Sequence, residues 1–538
     1  MKWFAVSLAC CCALVGAQSS EEEQRTFYQE PLALYEASAT TAVEDTGQAL
    51  TYFLGDLFLA GNTEGAIEEA NEGGSDIVFV RLDPEDLSEK ARQQFGGDGN
   101  DTVYSITSNT ITTDIVVVGA TRSSEVNLFD NAFPAGVQDW FIALLDAQDL
   151  SLNDFMINGT EFEDQGATAV GVDSNGRVVV AGYTWGDYFD VNAGSANDAS
   201  SIGFDVFVFK IDADLEEIIW GIQWGTAVYD VPSALVIGSD DKIYVLGTST
   251  DLAGVATDDE VDNMFVLKIG SGGVVDCDTC WQTTFGLESD SGEAHGLVLS
   301  EDETELYVAG NTRGDLFNWT QGDASRAATA LTGKDELFLV SLSTATGEHN
   351  WVYQSSANAS SYGTAGVALA ADGSPIIGGY AFGNHFDLLV PDYWVEGSGD
   401  IIAVKIDPET LNVSRYFVGH AASNLTTEIP LAMLQDPDVE DGVFLAGVAN
   451  GAFETLDVHL GQNDMQVLKV ELEELPEEED EVDDDDEEEE DGPSDKPFDY
   501  WVVAVALAAV LGLGFVGAYK WSAHSVAARE AANKLPSA

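Results

Sequence analysis

The sequence predicts an all-β protein whose main domain is a seven-bladed β-propeller, followed by one C-terminal transmembrane helix. Two observations predict the propeller: a pair of strand-like motifs recurs seven times along the chain, and each repeat holds four strand-like runs. A third observation, an apolar segment near each end of the chain, predicts the secretory route and the membrane anchor.

The repeat consists of two motifs that alternate along the chain. One is an acidic residue followed by a β-rich apolar stretch, and it begins at Asp76, Asp139, Asp205, Asp262, Asp335, Asp400 and Asp464. The other is an apolar run that closes on glycine, at Gly61, Gly119, Gly182, Gly247, Gly310, Gly379 and Gly447. Both series count seven, which gives repeats of about 65 residues, a period typical of arrays or propellers.

Four strand-like runs stand out in the third repeat. They are Ala167–Asp173, Val178–Gly182, Asp205–Ile211 and Ile218–Gly225, which are rich in Val, Ile and aromatic residues and separated by Gly, Asp, Asn and Ser. A twisted four-stranded sheet cannot bury both faces alone, so the repeats must stack on one another. Stacking around an axis also protects the sheet edges, and it predicts a propeller over residues 18–472. The alternative, a linear solenoid, favours shorter repeats and capping ends.

Ring closure makes a specific prediction about the N-terminal segment. The last repeat ends at Val467–Leu472 and the chain then turns acidic, so its fourth strand is missing. The segment Arg25–Tyr35 precedes the first complete repeat, and its TFYQ is similar to the fourth-strand WVYQ at Trp351–Gln354. We therefore predict that residues 25–35 complete the last blade by strand exchange.

The repeat resembles a known family. In Phe204–Thr250 an apolar strand ends in Asp, a Gly turn and an aromatic-and-Gly strand follow, and an Ala/Val strand leads to YVLGTS. This pattern is similar to the secreted β-propeller repeats often abbreviated SBBP, and the likeness covers nearly all of residues 45–470. The resemblance implies the propeller fold. Because the family has no single activity, it implies no particular function.

The two ends of the chain carry the targeting signals. Residues 1–17 predict a signal peptide, with Lys2, a short apolar stretch and Val15-Gly16-Ala17 as a cleavage pattern. The uncharged run Tyr500–Tyr519 is long enough to span a bilayer, and it predicts a transmembrane helix over residues 500–520. Lys520 and two further cations follow it, which predicts a short cytoplasmic tail over 521–538 and a type I single-pass topology. The protein is therefore expected in the secretory pathway or plasma membrane, with its N-terminus extracellular or luminal.

The balance of charged residues restricts the classes of partner that the protein can bind. The chain has 20 Lys and Arg against 95 Asp and Glu, a net charge of −75. This excludes a nucleic-acid-binding surface, because such surfaces need cations to neutralise phosphates. Residues 473–499 are so rich in like charge that they predict a disordered spacer between propeller and membrane. The expected partner is a protein or a glycan.

Two kinds of modification site are predicted. Six N-glycosylation sequons occur, at Asn100, Asn158, Asn318, Asn358, Asn412 and Asn424. Asn318 is expected in a loop between a second and a third strand, whereas Asn100, Asn358 and Asn424 are expected in connections between blades. The two cysteines that remain after signal cleavage, Cys277 and Cys280, predict a small disulfide in a hairpin turn, since no helix is evident that would make CDTC a redox motif.

No catalytic signature and no cofactor motif is evident. None of the six histidines has a metal-site spacing, and no nucleophile elbow occurs. Thr346-Gly347 with Trp351 is similar to the tryptophan-docking turn of quinone-cofactor propellers, but a hairpin turn explains one such match. Calcium remains open at the acidic turns Asp98–Asp101 and Asp436–Gly442, although neither completes a twelve-residue calcium loop.

The sequence thus predicts a membrane glycoprotein whose propeller is a binding or adhesion module, and not an enzyme. Two alternatives stay open: a luminal cargo or quality-control receptor of the secretory pathway, and a propeller-type hydrolase acting on glycans or peptides.

Overall fold

The computed structural model of the protein describes fifteen stretches of the chain and three single residues. These are residues 31–37, 44–67, 71, 73–122, 137–159, 164–185, 188, 203–226, 229–250, 263–275, 277–286, 292–313, 316, 335–355, 361–382, 399–419, 428–449 and 464–474. All belong to one compact unit, Met1–Pro476, and the second unit, Glu477–Ala538, lies outside the described residues. The predicted signal peptide, most of the acidic spacer, the predicted span 500–520 and the tail also lie outside them. No helix able to cross a bilayer occurs within the described stretches.

Seven antiparallel sheets form the fold, as predicted. Blade 1 is β2 (Asp45–Phe53), β3 (Asp56–Thr63), β4 (Asp76–Leu82) and β5 (Glu89–Phe95). Blade 2 is β6 (Asp101–Ser108), β7 (Asp114–Thr121), β8 (Asp139–Asp146) and β9 (Leu152–Asn158). Blade 3 is β10 (Gln165–Val172), β11 (Val178–Trp185), β12 (Phe204–Ile211) and β13 (Ile218–Trp224).

The remaining blades repeat this order. Blade 4 is β14 (Asp230–Ile237), β15 (Ile243–Ser249), β16 (Asn263–Ile269) and β17 (Trp281–Phe285). Blade 5 is β18 (Gly292–Leu299), β19 (Glu305–Thr312), β20 (Glu336–Ser343) and β21 (His349–Gln354). Blade 6 is β22 (Ser361–Leu369), β23 (Pro375–Phe382), β24 (Gly399–Ile406) and β25 (Val413–Gly419), to which β29 (Glu473–Glu474) adds a fifth strand. Blade 7 is β26 (Glu428–Gln435), β27 (Gly442–Ala449), β28 (Asp464–Glu471) and β1 (Ala33–Ala37).

The ring closes through the N-terminal strand. β1 is the outermost strand of blade 7 and pairs with β28, with Ala33 opposite Lys469 and Ala37 opposite Met465. This strand overlaps the predicted segment 25–35 in its last three residues, and residues 25–30 lie outside the described residues. The strand ends two residues after the predicted segment, and the TFYQ comparison is wrong in register: Tyr35 faces Val467 as Tyr353 faces Leu339, so Ala33–Glu36 takes the place of Trp351–Gln354.

The hydrophobic core consists of seven clusters, one at each interface between neighbouring blades. The cluster between blades 1 and 2, for example, packs Phe79 against Phe141, and the cluster between blades 7 and 1 packs Phe444 against Leu57. The first strand of each blade contacts the first strands of both neighbours, and β26 contacts β2 to complete the circle. The first strands are therefore the inner strands that surround the axis, and no blade buries its apolar residues alone.

The two faces of the propeller differ in their connections. Short turns that join first to second and third to fourth strands lie on one face, which we name the short-turn face. The connections between second and third strands, and those between blades, lie on the opposite, long-loop face. Most of the latter lie outside the described residues. Because β1 begins and β28 ends on the short-turn face, the described chain enters and leaves the propeller there.

Cations link the blades on the short-turn face. In blade 3, Lys210 lies near the end of the third strand, forms a 3.0 Å ion pair with the buried Asp173 and donates to the carbonyl of Ser271 in the next blade at 3.3 Å. In blade 7, Lys469 pairs with the buried Asp436 at 3.0 Å.

The same position repeats in other blades. Lys268 donates to the carbonyl of Thr344 at 2.5 Å, and Arg81 donates to the carbonyl of Gln148. Lys469 donates to the carbonyl of Pro84 at 2.8 Å, which ties blade 7 to blade 1. These contacts use scarce cations to join neighbouring repeats.

The structure corrects the repeat alignment in two blades. The equivalent buried polar residue at the start of the third strand is Asp76, Asp139, Asp205, Asn263, Glu336, Asp400 and Asp464. In blades 4 and 5 this position is therefore one residue later than the predicted Asp262 and Asp335. Asp262 lies outside the described residues, whereas Asp335 is partly exposed and pairs with Arg313.

Candidate functional site

A β-bulge occurs at the same position in every inner strand. The pairing register skips one residue in each, namely Gln48, Tyr104, Thr168, Ser233, His295, Ala365 and Leu431, which we name the bulge ring. An extra residue in one strand bends it and re-aims a side chain, which is why bulges often occur beside functional sites. The bulge ring places one variable side chain per blade around the axis.

Part of the bulge ring joins the blades. The Thr168 hydroxyl donates to the carbonyl of Pro232 at 2.7 Å, and the Ser233 hydroxyl donates to the carbonyl of Ala294 at 2.6 Å. Each bond reaches the inner strand of the next blade. In blade 5, by contrast, the bulged residue is His295, which contacts an acid of its own strand.

A cavity of about 460 Å³ opens beside His295 on the long-loop face, between blades 5, 6 and 7. Its polar lining includes Glu293, His295, Asn311, Arg313, Asp335, Thr364 and Tyr380. Its apolar wall comes from blade 7 and consists of Ile429, Pro430 and Leu431. A concave site with an apolar wall and a few convergent polar groups is the usual form of a ligand site.

Two ion pairs frame the cavity. Arg313 Nε donates to Asp335 Oδ1 at 2.6 Å, and Arg313 Nη2 donates to Asp335 Oδ2 at 3.3 Å, so the pair is bidentate. His295 Nε2 lies 3.3 Å from Glu293 Oε2. All four side chains are partly exposed, so the pairs contribute little to stability and remain accessible to a ligand.

The charges in the cavity act on one another. The contact with His295, together with the positive charge of Arg313, holds the pKa of Glu293 below its usual range. Burial raises the pKa of Tyr380, and the charges of Glu293 and Asp335 raise it further. Tyr380 therefore keeps its hydroxyl proton at physiological pH.

The hydroxyl of Thr364 completes the cavity floor. Thr364 is 8% exposed, and its Oγ1 has no hydrogen-bond partner within the described part of the chain. An unsatisfied buried hydroxyl is costly, by about 1–3 kcal/mol.

Backbone geometry explains how the polar groups converge. A Cβ on Gly363 would lie 2.2 Å from the Tyr380 ring, so only glycine leaves room for this tyrosine to lie across the inner strand. At Gly296, directly after the bulged His295, a Cβ would lie 2.5 Å from the backbone of Val367 in blade 6. The inner strands of blades 5 and 6 therefore approach closely beneath the cavity.

The predicted sequons lie at both faces. Asn100 is exposed in the connection from blade 1 to blade 2, on the long-loop face as predicted for this residue. Asn158 is exposed at the end of the fourth strand of blade 2, also at the long-loop face. Asn412 is exposed in the turn between β24 and β25, on the short-turn face. Asn318, Asn358 and Asn424 lie outside the described residues.

The predicted disulfide and the candidate calcium turns lie away from the cavity. Cys277 and Cys280 are joined by a disulfide in the turn between β16 and β17, on the short-turn face. In the turn Asp436–Gly442, two of the four carboxylates, Asp436 and Asp441, form ion pairs with Lys469, Lys405 and Arg415.

The other candidate turn, Asp98–Asp101, is also committed to the fold. The Asp101 carboxylate accepts hydrogen bonds from the Thr121 hydroxyl at 2.5 Å and from the N–H of Gly97 at 2.8 Å. No cluster of three or more potential metal ligands occurs among the residues the structure describes.

Several buried carboxylates on the long-loop face accept hydrogen bonds from neutral side chains. Gln94 donates to Asp76 at 2.7 Å, and Gln223 donates to Asp205 at 2.8 Å. Burial raises the pKa of Asp230, at the start of β14, to about 6, although hydrogen bonds from Ser249 and Thr226 lower it. These acids hold strand ends in place by hydrogen bonds to neutral groups.

Comparison with known proteins adds only distant likenesses. No family model matches the chain, and no curated protein matches it. Among solved structures, the periplasmic gluconolactonase of Pseudomonas aeruginosa is 13% identical with a TM-score of 0.42, over 80% of this chain and 100% of that one. The acylaminoacyl peptidase of Pyrococcus horikoshii is 11% identical with a TM-score of 0.38, over 81% of this chain and 52% of that one.

The ectodomain of a viral surface protein has a similarly low TM-score. The hemagglutinin-neuraminidase ectodomain of parainfluenza virus 5 is 9% identical with a TM-score of 0.40, over 84% of this chain and 88% of that one. This chain spans about half the length of the peptidase. Likenesses at this level are not evidence for a shared activity.

Proposed function

We propose that the protein is a type I single-pass membrane glycoprotein whose propeller is a binding module, with the cavity between blades 5, 6 and 7 as its ligand site. We also propose that its repeats belong with the secreted SBBP type. The observation that carries the binding role is the cavity itself, where two partly exposed ion pairs of blade 5 face an apolar wall from blade 7.

The nature of the cavity supports binding of a polar, uncharged or zwitterionic group. Both signs of charge are present at its rim, in the pairs Arg313–Asp335 and Glu293–His295. A ligand with hydroxyl, amide or paired ionic groups can exchange hydrogen bonds with these pairs without leaving a charge unmatched. A purely anionic ligand would meet a protein of net charge −75.

The attachment of the propeller is consistent with such a role. The chain leaves blade 7 on the short-turn face, and its last described residues, Glu473 and Glu474, pair with β25 of blade 6. The predicted spacer thus continues from the face opposite to the one on which the cavity opens.

The test uses the ectodomain, residues 18–476, because all seven blade interfaces and the closing strand lie within it. Arrays of neutral and acidic oligosaccharides and of defined peptides provide the probes. We expect at least one probe class to bind, and we expect Arg313→Ala and Tyr380→Ala to weaken that binding about tenfold or more.

Thr364→Val tests the buried hydroxyl separately. It removes the unsatisfied hydroxyl while keeping the shape of the side chain, so we expect unchanged or higher stability. Ile111→Ala, at a residue 61% exposed on the short-turn face, is the control. Equal binding by all four variants would contradict the assignment of the cavity as the ligand site.

The contact between His295 and Glu293 also favours one alternative, the propeller-type hydrolase. A histidine beside a carboxylate is the usual arrangement of a general base and the group that orients it. If the ectodomain turns over an oligosaccharide or peptide ester, His295→Gln should abolish turnover and leave binding intact. Binding without turnover by the wild-type ectodomain would favour the binding module.

A further inference from the structure

A group of aromatic side chains is exposed on the long-loop face of blades 2, 3 and 4, away from the cavity. Tyr104, Trp185 and Tyr229 are 37%, 36% and 40% exposed. Tyr183 and Phe204 lie partly buried among them. We name these five residues the aromatic patch.

The rings of the aromatic patch contact one another in series. The Phe204 centroid lies 4.9 Å from that of Tyr183, 5.3 Å from that of Trp185 and 5.6 Å from that of Tyr229. Trp185 and Tyr229 are 6.2 Å apart with their planes at 66°. Phe204 is thus the base of the group, and Trp185 and Tyr229 are its exposed members.

The strand order explains why these rings meet. Trp185 ends β11 and pairs with Phe204 at the start of β12, so the two side chains lie side by side. The backbone N–H of Trp185 donates to the carbonyl of Asp164 at 3.1 Å, which holds the end of the strand in place. The nearby Tyr188 is the aromatic of this segment that packs against the core, where its hydroxyl accepts from Trp140 Nε1 at 3.2 Å. Trp185 is therefore not needed to fill the core.

Polar groups border the aromatic patch on the side of the axis. Gln138 Nε2 donates to the Tyr183 hydroxyl at 2.6 Å, and Arg122 Nε donates to Gln138 Oε1 at 2.8 Å. The Tyr183 hydroxyl also interacts with that of Tyr104 in the bulge ring. The surface thus combines exposed ring faces with a row of hydrogen-bonding groups.

We propose that the aromatic patch binds a neutral carbohydrate chain. A sugar ring has an apolar face of C–H groups that stacks on an aromatic ring and an edge of hydroxyls that needs donors and acceptors. Both requirements are met here. The net charge of −75 disfavours acidic glycans, nucleic acids and anionic lipid surfaces at the same place.

This site is separate from the cavity of the proposed function. The aromatic patch lies on blades 2, 3 and 4, and the cavity lies between blades 5, 6 and 7. Substitutions in one are therefore expected to leave binding at the other unchanged.

The test measures binding of defined neutral oligosaccharides, namely β-glucan and mannan fragments of four to six sugars, by calorimetry. The ectodomain 18–476 is used after enzymatic removal of its N-glycans, so that its own sugars cannot occupy the site. We expect binding that Trp185→Ala and Tyr229→Ala each weaken about tenfold or more. Trp185→Phe should restore part of it, since the ring face returns.

Ile219→Ala is the matched control, since Ile219 is 42% exposed on the outer strand of the same blade. It should bind as the wild type does. Arg313→Ala should leave the part of the binding that depends on Trp185 unchanged if the two sites are separate. The proposal is overturned if the folded wild type binds none of these sugars, if sulfated or uronic-acid fragments bind more tightly, or if Trp185→Ala and Ile219→Ala behave alike.

Discussion

The two faces of the propeller are built from the same strands but use charge in opposite ways. On the short-turn face, buried carboxylates such as Asp173 are matched by lysines at the ends of third strands. On the long-loop face, buried acids such as Asp205 are held by neutral glutamine or by hydroxyls. The first face therefore joins the blades, whereas the second keeps its arginine, histidine and exposed rings for a cavity and a patch.

This difference also sets opposite responses to acid. Burial opposes ionisation of Asp173, but hydrogen bonds from Lys210 and from backbone N–H groups hold its pKa below the usual range. Its contribution to stability is present above its unfolded pKa and is lost as the pH falls through the folded pKa. For Asp230 the folded pKa is raised to about 6, so its contribution is present in acid and is lost as the pH rises toward 6.

The largest expected effect comes from opening the ring on which both faces depend. Deletion of residues 18–37 removes β1, with its five backbone pairs to β28 and the buried Tyr35. We expect a loss of about 5 kcal/mol or more in the free energy of unfolding, measured with urea. The free edge of β28 should also promote dimers, visible by size-exclusion chromatography.

Deletion of residues 18–24 alone is the control and should leave stability unchanged. Equal stability of the two deletion variants would show that β1 does not close the ring.

The next effect tests the cations of the short-turn face. Lys469→Met leaves the fully buried Asp436 without its partner and removes the bond to Pro84, so we expect a loss of about 3–5 kcal/mol in the free energy of unfolding. Lys242→Met, which breaks a more exposed pair with Asp240, is the matched control and should cost under about 1 kcal/mol.

A double variant separates the two causes. Adding Asp436→Asn to Lys469→Met removes the uncompensated charge and should recover part of the loss. Similar values for Lys469→Met and Lys242→Met would mean that the buried contacts of Lys469 do not stabilise the propeller.

The smallest of the three effects tests the long-loop face. Asp230→Asn keeps an acceptor for Thr226 but cannot ionise. Because a folded pKa of about 6 means that ionisation of Asp230 opposes folding, we expect the variant to be more stable than the wild type by roughly 2 kcal/mol at pH 7. Urea unfolding from pH 4 to pH 8 should show this advantage shrinking in acid. A variant that is less stable than the wild type at pH 7 would contradict the upward shift of the Asp230 pKa.

Much of the fold could be predicted from the sequence, because seven copies of one unit average out local ambiguity. The blade number, the four strands per blade and the closing role of the N-terminal segment all follow from the repeat. The alignment failed by one residue in blades 4 and 5, where Asp262 and Asp335 precede the buried Asn263 and Glu336. In both blades an acidic residue directly precedes the buried one, and the sequence alone does not show which of the two side chains points inward.

The candidate site was missed for a physical reason. Its residues come from three blades, and only the closed ring brings Glu293, Tyr380 and Leu431 to one cavity. One signal was present: the residue after each bulge is Ala, Ser or Gly, as in Ala49, Ser105 and Gly296. A small residue at the same place in all seven inner strands marks where neighbouring backbones come close, and thus where a bulge is needed.

The pairing of β1 with β28 has a consequence during synthesis. The partner of Ala33 is Lys469, which the ribosome adds more than four hundred residues later. At about 5–20 residues per second, the first strand leaves the ribosome roughly half a minute or more before its partner exists. During that time six blades can assemble while blade 7 is still incomplete. We therefore expect the nascent chain to rely on chaperones that shield the incomplete propeller.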